Sequence, residues 1–166
     1  MMDVFDEELL RFWKILQQNY VRYIMVGGVA TNLHGYQRST EDIDMWIEDS
    51  LENRRKIRKA FKECDMGDFE PLERMQFVPG WTYFYLNNGL RLDIMVTMKG
   101  LEELTFDECY QMAYKADIYD VQVPFLHINH LLANKKAVKR LKDQLDVSEL
   151  EKIKALRQVS DKPAAE

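Results

Sequence analysis

Apolar residues recur along this chain with two different periods, and each change of period marks an element. Phe5, Leu9, Phe12, Trp13 and Leu16 form a stripe at helical spacing, which predicts a helix over residues 5–19. Asp3 is the expected cap, with Asp6, Glu7 and Glu8 in the first turn. A strand is expected over Tyr20–Val26, rich in aromatic and β-branched residues. Gly27 and Gly28 break it, and Val29–Leu33 reads as a short helix ending near Gly35. Strict alternation then returns in Asp42–Ile47, where Ile43, Met45 and Ile47 face one way and Asp42 and Asp44 the other.

A charged helix is predicted from about Leu51 to Glu63, packing through Leu51, Ile57, Ala60 and Phe61. Pro71, Pro79, Gly67 and Gly80 make residues 66–80 a loop region, with one short edge strand around Met75–Val78. Trp81–Leu86 and Leu90–Met95, joined through Asn87-Asn88-Gly89, predict a hairpin. In its second strand Leu92, Ile94 and Val96 share one face, and Arg91, Asp93 and Met95 share the other. A short helix over Phe106–Ala113 and a strand within Tyr119–Phe125 follow, then helices over Ile128–Leu141 and Val147–Val159. The expected architecture is one α/β (α+β) domain over residues 1–160. It has a mixed central sheet with helices on its outer face, a C-terminal helical part over 127–160 and a flexible tail over 161–166.

Composition narrows the function. An apolar fraction of 46% against 31% charged residues suits a globular chain with a full core. A net charge of -5 argues against a broad grip on nucleic acid, although a local basic groove stays possible. The two cysteines, Cys64 and Cys109, fit neither a zinc spacing nor a secretory framework. No apolar run reaches the length of a membrane span, and the acidic start lacks a signal-peptide layout. A cytoplasmic setting with reduced thiols is expected.

The candidate chemistry lies in Asp42, Asp44 and Asp93. Paired carboxylates beside an apolar core repel each other and resist desolvation, and a divalent cation offsets both costs. Hard oxygen donors suit magnesium, which keeps waters and accepts substrate phosphates. One or two ions fit this donor set, and Asp93 is expected either to hold the ion at the attacking hydroxyl or to accept its proton. Gly27 and Gly28 would admit a phosphate to backbone N–H groups. The order of residues is neither a P-loop nor a dinucleotide fingerprint. Arg38 is a candidate partner for a triphosphate or an acidic strand residue, and Thr40 for fixing the loop before the acidic strand. Within the basic run Lys135, Lys136, Lys139, Arg140 and Lys142, Lys135 follows an apolar segment and is the expected phosphate ligand. His34, His127 and His130 complete no metal set, so packing or surface roles are expected. Trp46, Trp81, Tyr83 and Tyr85 suit either base stacking or core filling.

Three stretches, GGVATNLHGYQRSTEDIDMWI, RLDIMV and LLANKKAVKRLKDQLDVSEL, together resemble the DNA polymerase beta-like nucleotidyltransferase superfamily. The nearer likeness is to a small bacterial branch related to AbiEii-type toxins and minimal antibiotic nucleotidyltransferases. Gly27-Gly28, Asp42-x-Asp44 and Asp93 match its glycine pair, acidic strand and third carboxylate in order, with Gly-Gly in place of the commoner Gly-Ser. Arg38 and Thr40 match residues before the acidic pair, and Lys135, Lys142, Asp143 and Asp146 match a later lysine and Lys-Asp-x-x-Asp element. The resemblance implies the nucleotidyltransferase fold and transfer of a nucleoside monophosphate from an NTP, with ATP expected, to a hydroxyl acceptor. Asp42, Asp44 and Asp93 would be catalytic and hold Mg2+, while Gly27, Gly28, Arg38, Thr40 and Lys135 would bind the nucleotide. A small-molecule acceptor is preferred. The alternatives are a toxin-like enzyme modifying tRNA or protein and a noncatalytic nucleotide-binding domain.

Overall fold

The computed structural model describes residue 3 and residues 6–160. Six strands form one mixed sheet in the order β3-β4-β2-β1-β6-β5. These are β1 (Tyr23–Val26), β2 (Asp42–Ile47), β3 (Trp81–Tyr85), β4 (Arg91–Met95), β5 (Tyr114–Ile118) and β6 (Val121–Phe125). The helices are α1 (Glu7–Gln18), α2 (Gly27–Leu33), α3 (Leu51–Glu63), α4 (Phe106–Met112), α5 (Ile128–Val138) and α6 (Leu141–Ser160).

Register places every later feature. β2 and β4 run parallel, pairing Ile43 with Leu92 and Asp44 with Asp93. Ile43, Met45, Ile47, Leu92 and Ile94 are fully buried on one face. Phe61 of α3 covers that face, its ring meeting Phe84 of β3 at 5.1 Å and Phe12 of α1 at 6.2 Å. A slip of one residue would bury the aspartates and expose the aliphatics. Each reversed aliphatic forfeits about 1.5–3 kcal/mol, so the pattern pins the register. On the opposite face Phe106 of α4 covers Trp46, and the sheet beside Asp44 stays open to a cavity.

Several boundaries depart from expectation. Asp6, not Asp3, caps α1, accepting from the Leu9 amide at 3.0 Å. Phe5 and the tail over 161–166 lie outside the described residues. Tyr20 adopts φ 55°, so β1 starts only at Tyr23. No edge strand forms at Met75–Val78. A 3-10 turn spans Glu70–Glu73, and buried Arg54 draws the carbonyls of Leu72 and Met75 inward at 3.2 and 2.7 Å, away from any ladder. The strand expected within Tyr119–Phe125 is the second half of a hairpin whose first half, β5, is mostly exposed and lacks an apolar signature. Lys139 turns left-handed (φ 63°) and ends α5 at Val138, so Leu141 opens the next helix. The basic run therefore straddles a bend instead of lining one helix. Cys64 and Cys109 are free and buried, and burial raises both thiols to about 11. Among the described residues no helix is long and apolar enough to cross a membrane.

Candidate active site

A cavity of about 310 Å³ is lined by Gly27, Gly28, Arg38, Thr40, Asp42, Asp44, Asp93 and Lys135, joined by Ser39, Glu41, Arg140 and Lys142. Every residue singled out from the sequence as catalytic or nucleotide-binding thus faces one space.

Neighbouring parallel strands bring the carboxylates together. Asp44 and Asp93 are register partners, and Asp42 sits two residues before Asp44 on the same face. Asp44 feels this crowding most. Burial first, then the charges of Asp93 and Asp42, raise its carboxyl to about 7, and it hydrogen-bonds Asp93. One oxygen of Asp93 is held by Arg91, whose Nε donates at 2.8 Å. The donor set is all oxygen and its negative charge is undercompensated, which fits a hard divalent cation. Among the described residues, however, no three His, Cys, Asp or Glu are already gathered closely enough to cage an ion. The Asp44–Asp93 hydrogen bond ties up donor oxygens that a cation would take over, while Arg91 holds the other oxygen of Asp93.

The glycine pair is demanded by its neighbours. A β-carbon on Gly27, at φ +61°, would lie 2.1 Å from Asp44 Oδ2, and one on Gly28 would lie 2.4 Å from Thr40 Oγ1 and 2.7 Å from Thr40 Cβ. Asp44 and Thr40 therefore press against the start of α2. Thr40 Oγ1 donates to the Asp42 carbonyl at 3.1 Å, fixing the approach to β2.

On the far wall, the cations are held by two buried carboxylates of α6. Asp146 accepts from Arg38 Nε and Nη2 at 2.7 and 2.8 Å and from Lys135 Nζ at 2.7 Å. Asp143 accepts from Arg140 Nε at 2.7 Å and lies 3.6 Å from Lys135 Nζ. Arg38 thus pairs with a helix carboxylate, not with an acidic strand residue. These bonds outweigh burial and lower both carboxyls below their ordinary range. Three cations face two carboxylates, leaving one positive charge in excess at the cavity, with Lys142 beside it. Ser39 and Glu41 also line the cavity, as do Arg140 and Lys142 of the basic run in which the sequence favours Lys135. The Arg140–Asp143 spacing of three is a helix-start pairing that the placement of Arg140 inside a preceding helix concealed.

No family profile matches the chain, and no curated protein matches it. Solved structures do. LnuA, a lincosamide antibiotic adenylyltransferase solved with lincomycin bound, is 18% identical with a TM-score of 0.63, over 92% of this chain and 99% of that one. The chain has the nucleotidyltransferase fold. ANT(2")-Ia, solved with adenylyl-2"-tobramycin, shares that fold at 14% identity and a TM-score of 0.56, covering 91% of this chain and 93% of its own. An antigenic nucleotidyltransferase-like protein from Paracoccidioides brasiliensis shares it at 14% identity and a TM-score of 0.52, covering 90% and 75%. Within the nucleotidyltransferase fold of this chain, the open face of β2 and β4 is the one that carries Asp42, Asp44 and Asp93.

Proposed function

We propose that the protein is a magnesium-dependent nucleotidyltransferase that moves a nucleoside monophosphate, with ATP as the expected donor, onto a hydroxyl of a small-molecule acceptor. One observation carries the reading. Asp44 and Asp93 stand side by side on adjacent parallel strands, at a cavity whose other wall holds Arg38, Lys135 and Arg140. The solved relatives in fold that act on lincosamide and tobramycin acceptors support the same class of reaction.

In this reading Asp42, Asp44 and Asp93 hold the cation. Bound magnesium would supply Lewis-acid stabilisation of the charge that develops on the phosphate oxygens. The excess positive charge of the Arg38, Lys135 and Arg140 group receives the triphosphate, and Asp143 and Asp146 keep those cations in place. The acceptor oxygen attacks the α-phosphorus and forms the new P–O bond. The bond from that phosphorus to the bridging oxygen breaks, and pyrophosphate leaves with the electron pair. Asp93 takes the hydroxyl proton, with Arg91 holding its other oxygen.

The test is incubation of the full chain with each labelled NTP and magnesium, against separate pools of small metabolites, RNA and protein. Label in the small-metabolite pool, lost in Asp44→Asn, is the expected result. Label in RNA or protein would select a toxin-like enzyme. Absence of both transfer and MgATP binding would leave a domain that keeps the fold without the chemistry.

A further inference from the structure

Trp81, Tyr83 and Tyr85 are 44%, 49% and 56% exposed along β3, one of the two edge strands of the sheet. Alternation places the three on one face, with Thr82 and Phe84 on the other. Register identifies that face. Tyr83 pairs with Asp93, and Asp93 with Asp44, so a line across three strands reads Tyr83, Asp93, Asp44. One step along, Tyr85, Arg91 and Asp42 form a parallel line. Directly paired residues have β-carbons about 4.5–5.5 Å apart, so Tyr83 borders the carboxylate cluster, with the Arg91 guanidinium lying between its ring and Asp93.

The two flanks of that cluster differ in chemistry. Toward α5 and α6 lie the cations already assigned to the triphosphate. Toward β3 lie aromatic rings, and the one cation in register, Arg91, is engaged. Its Nε donates to Asp93, and its guanidinium carbon stands 4.3 Å from the Tyr83 ring centre. The Tyr83 and Tyr85 rings meet edge to face at 5.8 Å. Exposed aromatics on an edge strand invite aggregation, so a row of three beside a site calls for a use. A transferase of this kind needs a place for the body of its acceptor, away from the triphosphate and within reach of Asp93.

We infer that Trp81, Tyr83 and Tyr85 are the acceptor platform, and that the acceptor is a hydroxyl-bearing ring compound of the glycoside type that carries no anionic group. The inference rests on the nucleotidyl-transfer reading of the same site. Ring faces of Tyr and Trp take the apolar face of such a molecule while its hydroxyl edge reaches Asp93. Charge excludes the anionic classes. A polyanion such as RNA meets Asp42, Asp44 and Asp93 with no unpaired cation in register along β3.

The experiment uses phenyl β-D-glucopyranoside as probe and Trp81 emission as readout, since Trp13 and Trp46 are buried. The glucoside should quench the wild-type chain saturably. Tyr83→Ala/Tyr85→Ala should weaken that binding roughly tenfold, while the affinity for MgATP, measured by calorimetry, stays within about twofold. Tyr83→Phe, which keeps the ring, should retain glucoside binding and shows that the strand still folds. The proposal is overturned if the glucoside leaves Trp81 unchanged or if the double variant binds it as well as wild type. It is equally overturned if a short single-stranded RNA quenches Trp81 more tightly than the glucoside. A wild-type dimer on a sizing column that the double variant abolishes would assign the row to self-association instead. Failure of the wild type to bind MgATP overturns the transfer reading itself, whatever Trp81 does.

Discussion

Lys135 Nζ lies 2.7 Å from a carboxylate oxygen of Asp146, and neither side chain has appreciable contact with water. The same carboxylate receives two hydrogen bonds from Arg38, more than a hundred residues earlier in the chain. One buried aspartate therefore aims two cations at the cavity.

Removing that aspartate should be costly. Asp146→Ala strands Lys135 in the interior with only Asp143 at 3.6 Å to compensate it. Breaking one side of a buried pair costs about 3–5 kcal/mol. The expected result is an unfolding free energy, measured by urea titration, lowered by that amount. Lys136→Ala, which breaks an exposed pair with Glu151, should cost below about 1 kcal/mol.

A β-carbon at Gly28 meets Thr40, and this residue has no positive φ to add strain. Gly28→Ala is thus an overpacking substitution, expected to cost about 1–3 kcal/mol. Thr40→Gly removes both contacting atoms, so it should recover part of that loss when introduced into Gly28→Ala. Thermal or urea unfolding of the two single variants and the double variant measures the coupling.

Asp44 sets stability against use. Its carboxyl stands near 7 in the folded chain and near 3.8 unfolded, so between those values the folded state binds more protons. Stability contributed here is present in acid and falls as pH rises toward 7. At pH 8 without divalent metal, Asp44→Asn should melt higher by at least about 1 kcal/mol, roughly 2–4 °C, while losing nucleotide transfer. Added magnesium should raise the melting temperature of the wild type and not that of the variant. Differential scanning calorimetry in chelator and in magnesium checks both.

His34 acts in the opposite direction. Its Nε2 bonds the Leu126 carbonyl at 2.7 Å and its Nδ1 faces Arg157 at 3.2 Å, leaving no room for a second proton. Burial first, and Arg157 besides, lower its pKa to about 4. The folded state then binds fewer protons than the unfolded one between 6.5 and 4, so stability present above 6.5 is lost as pH falls toward 4, by up to about 3 kcal/mol. His34→Gln should remove this acid sensitivity and Asp44→Asn the opposing slope. Urea midpoints of the two variants from pH 4 to 8 separate them.

Much of this was legible in the residues. Alternation in β2 and β4 fixed which face each aspartate takes, because aliphatic and acidic side chains cannot exchange faces without exposing the core. The pairing of Asp44 with Asp93 needed the strand order, which no local pattern carries. The platform of Trp81, Tyr83 and Tyr85 was ambiguous for the same reason, since an aromatic strand reads alike at an edge or in a core. β5 escaped notice because YKADI has little apolar content and is held mainly by its ladder to β6. The end of α5 was hidden at Lys139, a non-glycine residue in the left-handed region that ordinary capping rules do not flag. Gly27 and Gly28 pointed to close approach, but the approaching groups, Asp44 and Thr40, came from the fold.

Because Asp143 and Asp146 hold cations drawn from residues 38, 135 and 140, the cationic wall of the cavity cannot be completed while the chain is being made until α6 has begun to emerge. The carboxylate cluster on β2 and β4 is synthesised dozens of residues sooner. During synthesis there is an interval in which the acids are in place and the carboxylates that anchor the cavity's cations are not, so this wall of the cavity is the last to be fixed.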